Sequence, residues 1–350
     1  MSAISIPPLD TQAARLARER IDQLTKPAGS LGRIEDLAER LAAMHGGLPP
    51  VYERRAIVVG AGDHGVTAEG VSAYPSEVTP QMVGAFLGGF AAINAFSRVA
   101  RAEVFVANFG VASELGAHER LIDVAVARGT RNFAREAAMP RSDVQRALDA
   151  GAHAFAQVDA RVHPEIVALG EMGIGNTTSA SAIVGAFTGA PAEDVVGRGT
   201  GVDEERLRRK IAVVHEAAAR VRGADYETIA SQVGGYEIVG LAGVLLAAAQ
   251  RRIPVLLDGF IVSAAALIAQ AIAPDAVGYC IAAHRSREPG HAVALRELGL
   301  VPLLDLDLRL GEGSGAALAF PLCEAAARMV REMKTFAEAG VATASEPIEA

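Results

Sequence analysis

Basic residues are in the minority in this 350-residue chain: 33 Lys plus Arg stand against 41 Asp plus Glu, a net charge of −8. That balance excludes a chain built to coat nucleic acid through phosphate contacts. Cysteine is scarcer still. Cys280 and Cys323, both in apolar stretches, supply neither a disulfide framework nor four zinc ligands, and point to a reducing compartment. Metal spacing is missing as well: there is no H-E-x-x-H, no Cys pair and no D-x-D run to join Asp63, His64, His284 and His291, so no metal is expected and no cofactor is assigned. The G-x-S-x-G of a serine nucleophile is absent, since Gly313-Ser314-Gly315 lacks that spacing. Although 51% of the residues are hydrophobic, the longest candidate span, Ile253 to Ala273, carries Asp258 and Gln270 and fits a bilayer poorly. Residues 1–9 lack the basic-then-apolar order of a signal peptide. No repeat or low-complexity tract occurs, and the expectation is a soluble, cytoplasmic protein.

Glycine, by contrast, is abundant at 36 residues and clustered, as in backbone that approaches ligands closely. Asp10 to Leu24 and Ser30 to Met44 carry apolar residues at helical spacing and predict a hairpin, with Pro27 after the first helix and Ser30 available to cap the second. Gly46 to Pro50 closes that segment. Beyond it, Ile57–Val59, Val104–Val106, Ile166–Leu169, Val255–Leu257 and Val277–Ala282 alternate with Ala-rich helical stretches. This predicts βαβ units and a mostly parallel sheet covered on both faces. Each run leads into polar or glycine residues, the carboxyl-end position where open α/β sheets bind ligands. The residues from Ala339 to Ala350 look weakly ordered.

Three glycine clusters carry the chemistry. Glu171-Met172-Gly173-Ile174-Gly175-Asn176-Thr177-Thr178 follows a strand and opens a helix, so unpaired first-turn amides and two hydroxyls form a phosphate cradle; an ordinary capped turn is the bland alternative. It is neither a Walker A loop nor G-x-G-x-x-G. Gly197-Arg198-Gly199-Thr200-Gly201 precedes a charged helix in which Lys210 either meets a phosphate or shares a solvated face with Arg208 and Arg209. Leu310-Gly311-Glu312-Gly313 places a carboxylate in an apolar neighbourhood, making it a candidate base or, more simply, a helix-dipole partner. Tyr74 and Gln81, seven apart, could grip a flat heterocycle or be ordinary loop residues.

Together these segments, with Lys26 to Gly32, Gly62 to Val66 and Asp258 to Ile261, resemble the nicotinate-nucleotide:dimethylbenzimidazole phosphoribosyltransferases, in order and approximate spacing over nearly the whole chain. The resemblance implies a Rossmann-like parallel sheet with helices on both faces (51–305) and a small helical domain from both chain ends (1–50 and 306–350). It further implies a homodimer with a shared active site and no part for nucleic acid or membrane. By the same resemblance Glu312 matches the catalytic base and Glu171 a second required acid. Gly173, Gly175, Asn176, Thr177, Thr178, Gly199, Thr200, Gly201 and Lys210 match the nucleotide-phosphate site. Tyr74, Gln81 and Leu310 match the base pocket, and Ala73 stands where some members carry a hydroxyl. The chemistry is consistent with this: the ring nitrogen of nicotinate mononucleotide is cationic, so nicotinate can leave without a metal, and the new benzimidazolium must lose a proton. A related transferase using adenine or a phenol, or a catalytically silent nucleotide-binding protein, remains an alternative.

Overall fold

The computed structural model describes residues 4–199 and 201–342. Thr200, expected at the phosphate, and 343–350 of the chain end lie outside the described residues. The chain divides into two units, one holding the chain up to Pro7 with Arg54–Ala319 and the other Pro8–Glu53 with the chain from Phe320.

In the larger unit, six strands form one parallel sheet: β1 (Arg55–Gly62), β2 (Glu103–Gly110), β3 (Leu121–Asp123), β4 (Ile166–Met172), β5 (Val255–Leu257) and β6 (Cys280–Ala282), in the order β3-β2-β1-β4-β5-β6. Every residue of β1 is buried, and every residue of β2 except Glu103. Strands covered on both faces read as continuous apolar runs instead of alternating ones, which is why they were legible. Val58 pairs with Phe105 on one side and Leu169 on the other, so the strand order reverses between β1 and β4. The carboxyl ends of these two strands therefore flank the crevice where such sheets bind ligands.

Helices Tyr236–Gln250 and Phe260–Ile272 are almost wholly buried, which accounts for much of the apolar composition. Some of the glycine serves packing instead of ligands: a Cβ at Gly151 would lie 2.0 Å from the Gly240 carbonyl oxygen. Among the described residues, the stretch Val78–Ala100 has the length and mean hydropathy, 1.3, to cross a membrane. It is two helices, Val78–Gly88 and Ala92–Ala100, parted at Gly89 with φ 80.

Several boundaries differ from the sequence reading. Pro274–Tyr279 forms a 3-10 helix, so the last strand begins at Cys280 and not at Val277; proline suits a helical first turn and cannot donate to a ladder. β3 was not foreseen because it is a three-residue edge strand, paired only with Val106–Asn108. Residues 306–319, expected with the helical ends, lie in the sheet unit, where Asp258 accepts the amides of Gly313, Gly315 and Ala316.

The smaller unit contains the expected hairpin, Thr11–Gln23 and Arg33–His45. Asp10 caps the first helix by accepting the Ala13 amide at 2.9 Å. Ser30 does not cap the second: Gly32 does so at φ 50, and Glu35 accepts the Leu31 amide at 3.0 Å. Glu35 is buried and ion-paired with Lys26 at 2.9 Å, and that pairing with the Arg18 charge holds its carboxyl below the usual range despite burial.

Candidate active site

A cavity of about 520 Å³ opens at the end of β4, wholly within the larger unit. One wall is the turn after the strand, where Gly173, Asn176 and Thr177 face the space and helix Asn176–Thr188 begins. Several amides of the turn are already used, Asn176 and Thr178 donating to the Gly173 and Gly175 carbonyls at 3.0 Å and Ile174 to Thr79 Oγ1 at 3.1 Å, while the positive end of the helix dipole still favours an anion there. Gly199 lines the cavity from the second glycine cluster; its amide donates to Glu288 Oε1 at 3.0 Å, and its carbonyl accepts from Arg309 at 3.2 Å.

Lys210 is not on a solvated face. It is 1% exposed, and its Nζ donates to Thr177 Oγ1 at 2.8 Å and to the Gly197 carbonyl at 3.1 Å. Burial pushes its pKa down to about 8, opposed by the Glu288 charge. Arg208 and Arg209 stay at the surface, as expected of guanidinium groups. Gly175, Thr178, Gly201 and Lys210 do not form the cavity wall; Lys210 reaches it through Thr177.

Acids make the second part of the site. Glu171, at the end of β4, is buried and accepts from Asn176 Nδ2. Among the described residues no cation pairs with it. Burial pushes its pKa up to about 8; the Asn176 bond opposes this, and the Asp258, Glu237 and Glu312 charges add to it. Asn176, expected at the phosphate, is therefore committed at least in part to this carboxyl.

Glu312 is also buried, and its Oε2 accepts the Ile93 amide at 3.3 Å. Burial raises its pKa, the Ile93 bond opposes, and the Asp258 charge adds to the rise. Its backbone takes φ 65 between Gly311 at 88 and Gly313 at 87, and a non-glycine residue held there costs on the order of 1–3 kcal/mol. Close approach explains one further glycine: a Cβ on Gly170 of β4 would stand 2.4 Å from the Glu312 carbonyl carbon.

Tyr74 and Leu310, 54% and 57% exposed, stand on the cavity with Val78 and Met82. Gln81 is exposed on helix Val78–Gly88 and is not part of the wall; its neighbour Met82 is. Sequence reasoning missed Met82 and Glu288, and considered His284 only as a metal ligand. A methionine at helical spacing reads as core, and Glu288 falls in no motif. His284 lies 3.5 Å from Asp258; burial works to lower its pKa, but the Asp258 carboxylate raises it overall. Nearby His291 is pushed down to about 3 by burial and the His284 charge, and its Nδ1 accepts the Ser286 amide at 2.9 Å. His64 pairs instead with Glu237 at 2.6 Å. Among the described residues, no three His, Cys, Asp or Glu side chains gather to hold a metal.

Residues 6–341 match the DBI_PRT family model, described as phosphoribosyltransferase. A nicotinate-nucleotide–dimethylbenzimidazole phosphoribosyltransferase of Chloroflexus aggregans is 53% identical over 97% of both chains. Its namesake from Thermus thermophilus is 51% identical over 95% of this chain and 99% of its own length. A crystal structure of CobT from Thermus thermophilus superposes with a TM-score of 0.92 at 50% identity, covering 95% of this chain and all of that one.

Proposed function

The chain belongs to this phosphoribosyltransferase family and performs its transfer in cobalamin synthesis, from nicotinate mononucleotide to 5,6-dimethylbenzimidazole, and we propose that Glu312 is the base of that reaction. The observation that carries this assignment is the pairing, on one cavity, of two buried carboxyls that no cation among the described residues pairs with and a helix N-terminus backed by a buried lysine.

The 5′-phosphate lies against the turn Gly173–Thr177, with Lys210 supplying charge through Thr177, and Gly199 and Gly201 belong to the loop beside it. Binding energy gained there positions the anomeric carbon and lowers the barrier without touching it. The acceptor base lies among Tyr74, Met82 and Leu310, and Gln81 is next to Met82 in the chain. One benzimidazole nitrogen forms the new bond to the anomeric carbon as the nicotinate nitrogen takes back its bonding pair. Attack opposite the leaving group inverts the β-nucleotide to the α-product, and Glu312 accepts the proton from the second nitrogen. Incubation with both substrates and mass spectrometry of the products tests this: α-ribazole 5′-phosphate and nicotinate are expected, and release of neither would overturn it.

We also assign a homodimer in the cytoplasm. Phe90 and Val99, 76% and 74% exposed, are large apolar side chains in and beside helix Ala92–Ala100 that a second copy would cover. Light scattering near twice 36.2 kDa is expected; a monodisperse, fully active monomer would refute the shared site.

A further inference from the structure

The segment Asp258-Gly259-Phe260-Ile261 has no part in the chemistry above, yet the Asp258 side chain accepts three backbone amides just beyond Gly311 and Glu312 of the cavity wall. Its Oδ1 accepts the amides of Gly315 at 2.7 Å and Ala316 at 3.0 Å, and its Oδ2 accepts that of Gly313 at 3.1 Å. The side chain is 1% exposed. These amides open helix Ser314–Glu332, so the carboxylate satisfies donors that the helix cannot. It does so from the end of β5, a different element.

The residue fixed by this arrangement is Glu312. A glutamate at φ 65 relaxes to right-handed or extended backbone unless its surroundings prevent it. Three features do so: Gly170 lets the loop lie on β4, the Ser314 amide and hydroxyl close a turn around Glu312 by donating to the Gly311 carbonyl at 3.0 and 2.8 Å, and Asp258 holds Gly313, the residue immediately after the strained one, from outside that turn. The side chain of Glu312 has a single 3.3 Å bond to the Ile93 amide, too little to impose a backbone conformation.

We propose that Asp258 is a positioning residue: through three backbone amides it holds the loop that presents the Glu312 carboxylate to the acceptor base. It touches neither the base nor the transferred proton. The charged or titratable groups that face it are His284, at 3.5 Å, and the Glu171 and Glu312 carboxyls, with which it interacts electrostatically. The inference rests on the assignment of Glu312 as base.

An amide in place of the carboxylate turns one acceptor into a donor facing backbone N–H groups, so Asp258→Asn should release the loop while leaving the cavity's volume unchanged. We expect kcat with dimethylbenzimidazole to fall about 10²-fold, the scale of a small misplacement of a reacting group. The Kd for nicotinate mononucleotide, from calorimetry, should stay within twofold. A residue that only stabilises the fold would move both or neither.

The decisive measurement is a double-mutant cycle. If Asp258 acts through Glu312, Asp258→Asn adds nothing in a Glu312→Gln background, and the double variant turns over within threefold of Glu312→Gln alone. A further hundredfold drop would overturn the proposal, as would a folded Asp258→Asn with kcat within threefold of the parent. Should the amide variant lose its fold, Asp258→Glu keeps the charge and lengthens the arm by one methylene. It is expected to lose at least tenfold in kcat, and full activity would count against the proposal. Failure of Glu312→Gln to lower turnover would instead remove the assignment of the base, a separate outcome.

Discussion

Replacing Glu312 by glutamine separates a catalytic carboxylate from a structural one with little change of shape. The amide oxygen can still accept from the Ile93 N–H, the side chain's one backbone partner at 3.3 Å, and the backbone at φ 65 is equally strained with either residue. At most one ordinary hydrogen bond is weakened, worth about 1 kcal/mol, and the melting temperature should move by no more than about 4 °C for a chain of this size. The lost proton acceptor is a larger matter. General-base removal lowers rates about 10²–10⁴-fold, or about 2.7–5.5 kcal/mol of barrier at about 1.36 kcal/mol per tenfold. A helix-dipole carboxylate would contribute only about 0.3–1 kcal/mol, and to folding. The assay is release of nicotinate from nicotinate mononucleotide in the presence of dimethylbenzimidazole, beside calorimetric binding of the nucleotide alone. Turnover should collapse while binding persists. Turnover within threefold of the parent in a folded variant would refute the reasoning and make Glu171 the next candidate.

Lys210→Met keeps the apolar stem in its buried site and removes the charge; because that charge reaches the phosphate through Thr177 and not by a direct bond, KM for nicotinate mononucleotide should rise by less than the roughly tenfold that loss of a direct charge-assisted bond of about 1.5 kcal/mol would give. Nicotinate riboside, without the phosphate, should be insensitive, and equal losses with both substrates would remove Lys210 from the phosphate site. Glu171→Gln should stabilise the ligand-free protein more at pH 8.5 than at pH 5. The folded pKa of Glu171, about 8, lies above the unfolded value, so its contribution is intact at low pH and lost as pH rises through the folded pKa. Thermal melts across pH 5–9 would show the gap widening, and a constant gap would show that burial does not hold this carboxyl protonated.

The sheet was legible because β1, β2 and β4 are covered on both faces and so consist of apolar runs ending in glycine. β3 was illegible for the opposite reason, since three edge residues carry no pattern. The site was legible where glycine flanks a functional group, as at Glu312 and Thr177. Where function depends on burial, one sequence cannot show it. Lys210 sits among arginines in the chain, and only the fold reveals that its neighbours reach solvent while its own ammonium meets the Gly197 carbonyl. Asp258 illustrates a second limit: its partners are backbone amides more than fifty residues ahead, and backbone donors leave no mark in the sequence.

The cavity's charges also fix a sign that can be measured. In the free protein, Glu171 and Lys210 both titrate near pH 8, one raised and the other lowered by burial. The substrate carries a phosphate at one end and, at the reacting end, a cationic ring nitrogen bonded to the anomeric carbon, with the ring's carboxylate further from that carbon. Cation near the acids favours ionised Glu171, and phosphate near the cradle favours charged Lys210. At pH 7 Lys210 already holds its proton and the phosphate, with a pKa of about 6, is largely dianionic. Binding there can only expel the proton of Glu171. At pH 9 Glu171 is already ionised and Lys210 is mostly neutral, so binding must take a proton up. Calorimetric binding enthalpies for nicotinate mononucleotide in buffers of different ionisation enthalpy should thus report net release at pH 7 and net uptake at pH 9. Glu171→Gln should abolish the first and Lys210→Met the second. Proton uptake at pH 7, or no linkage at either pH, would mean that the reacting end does not lie beside Glu171 or that the phosphate does not feel Lys210.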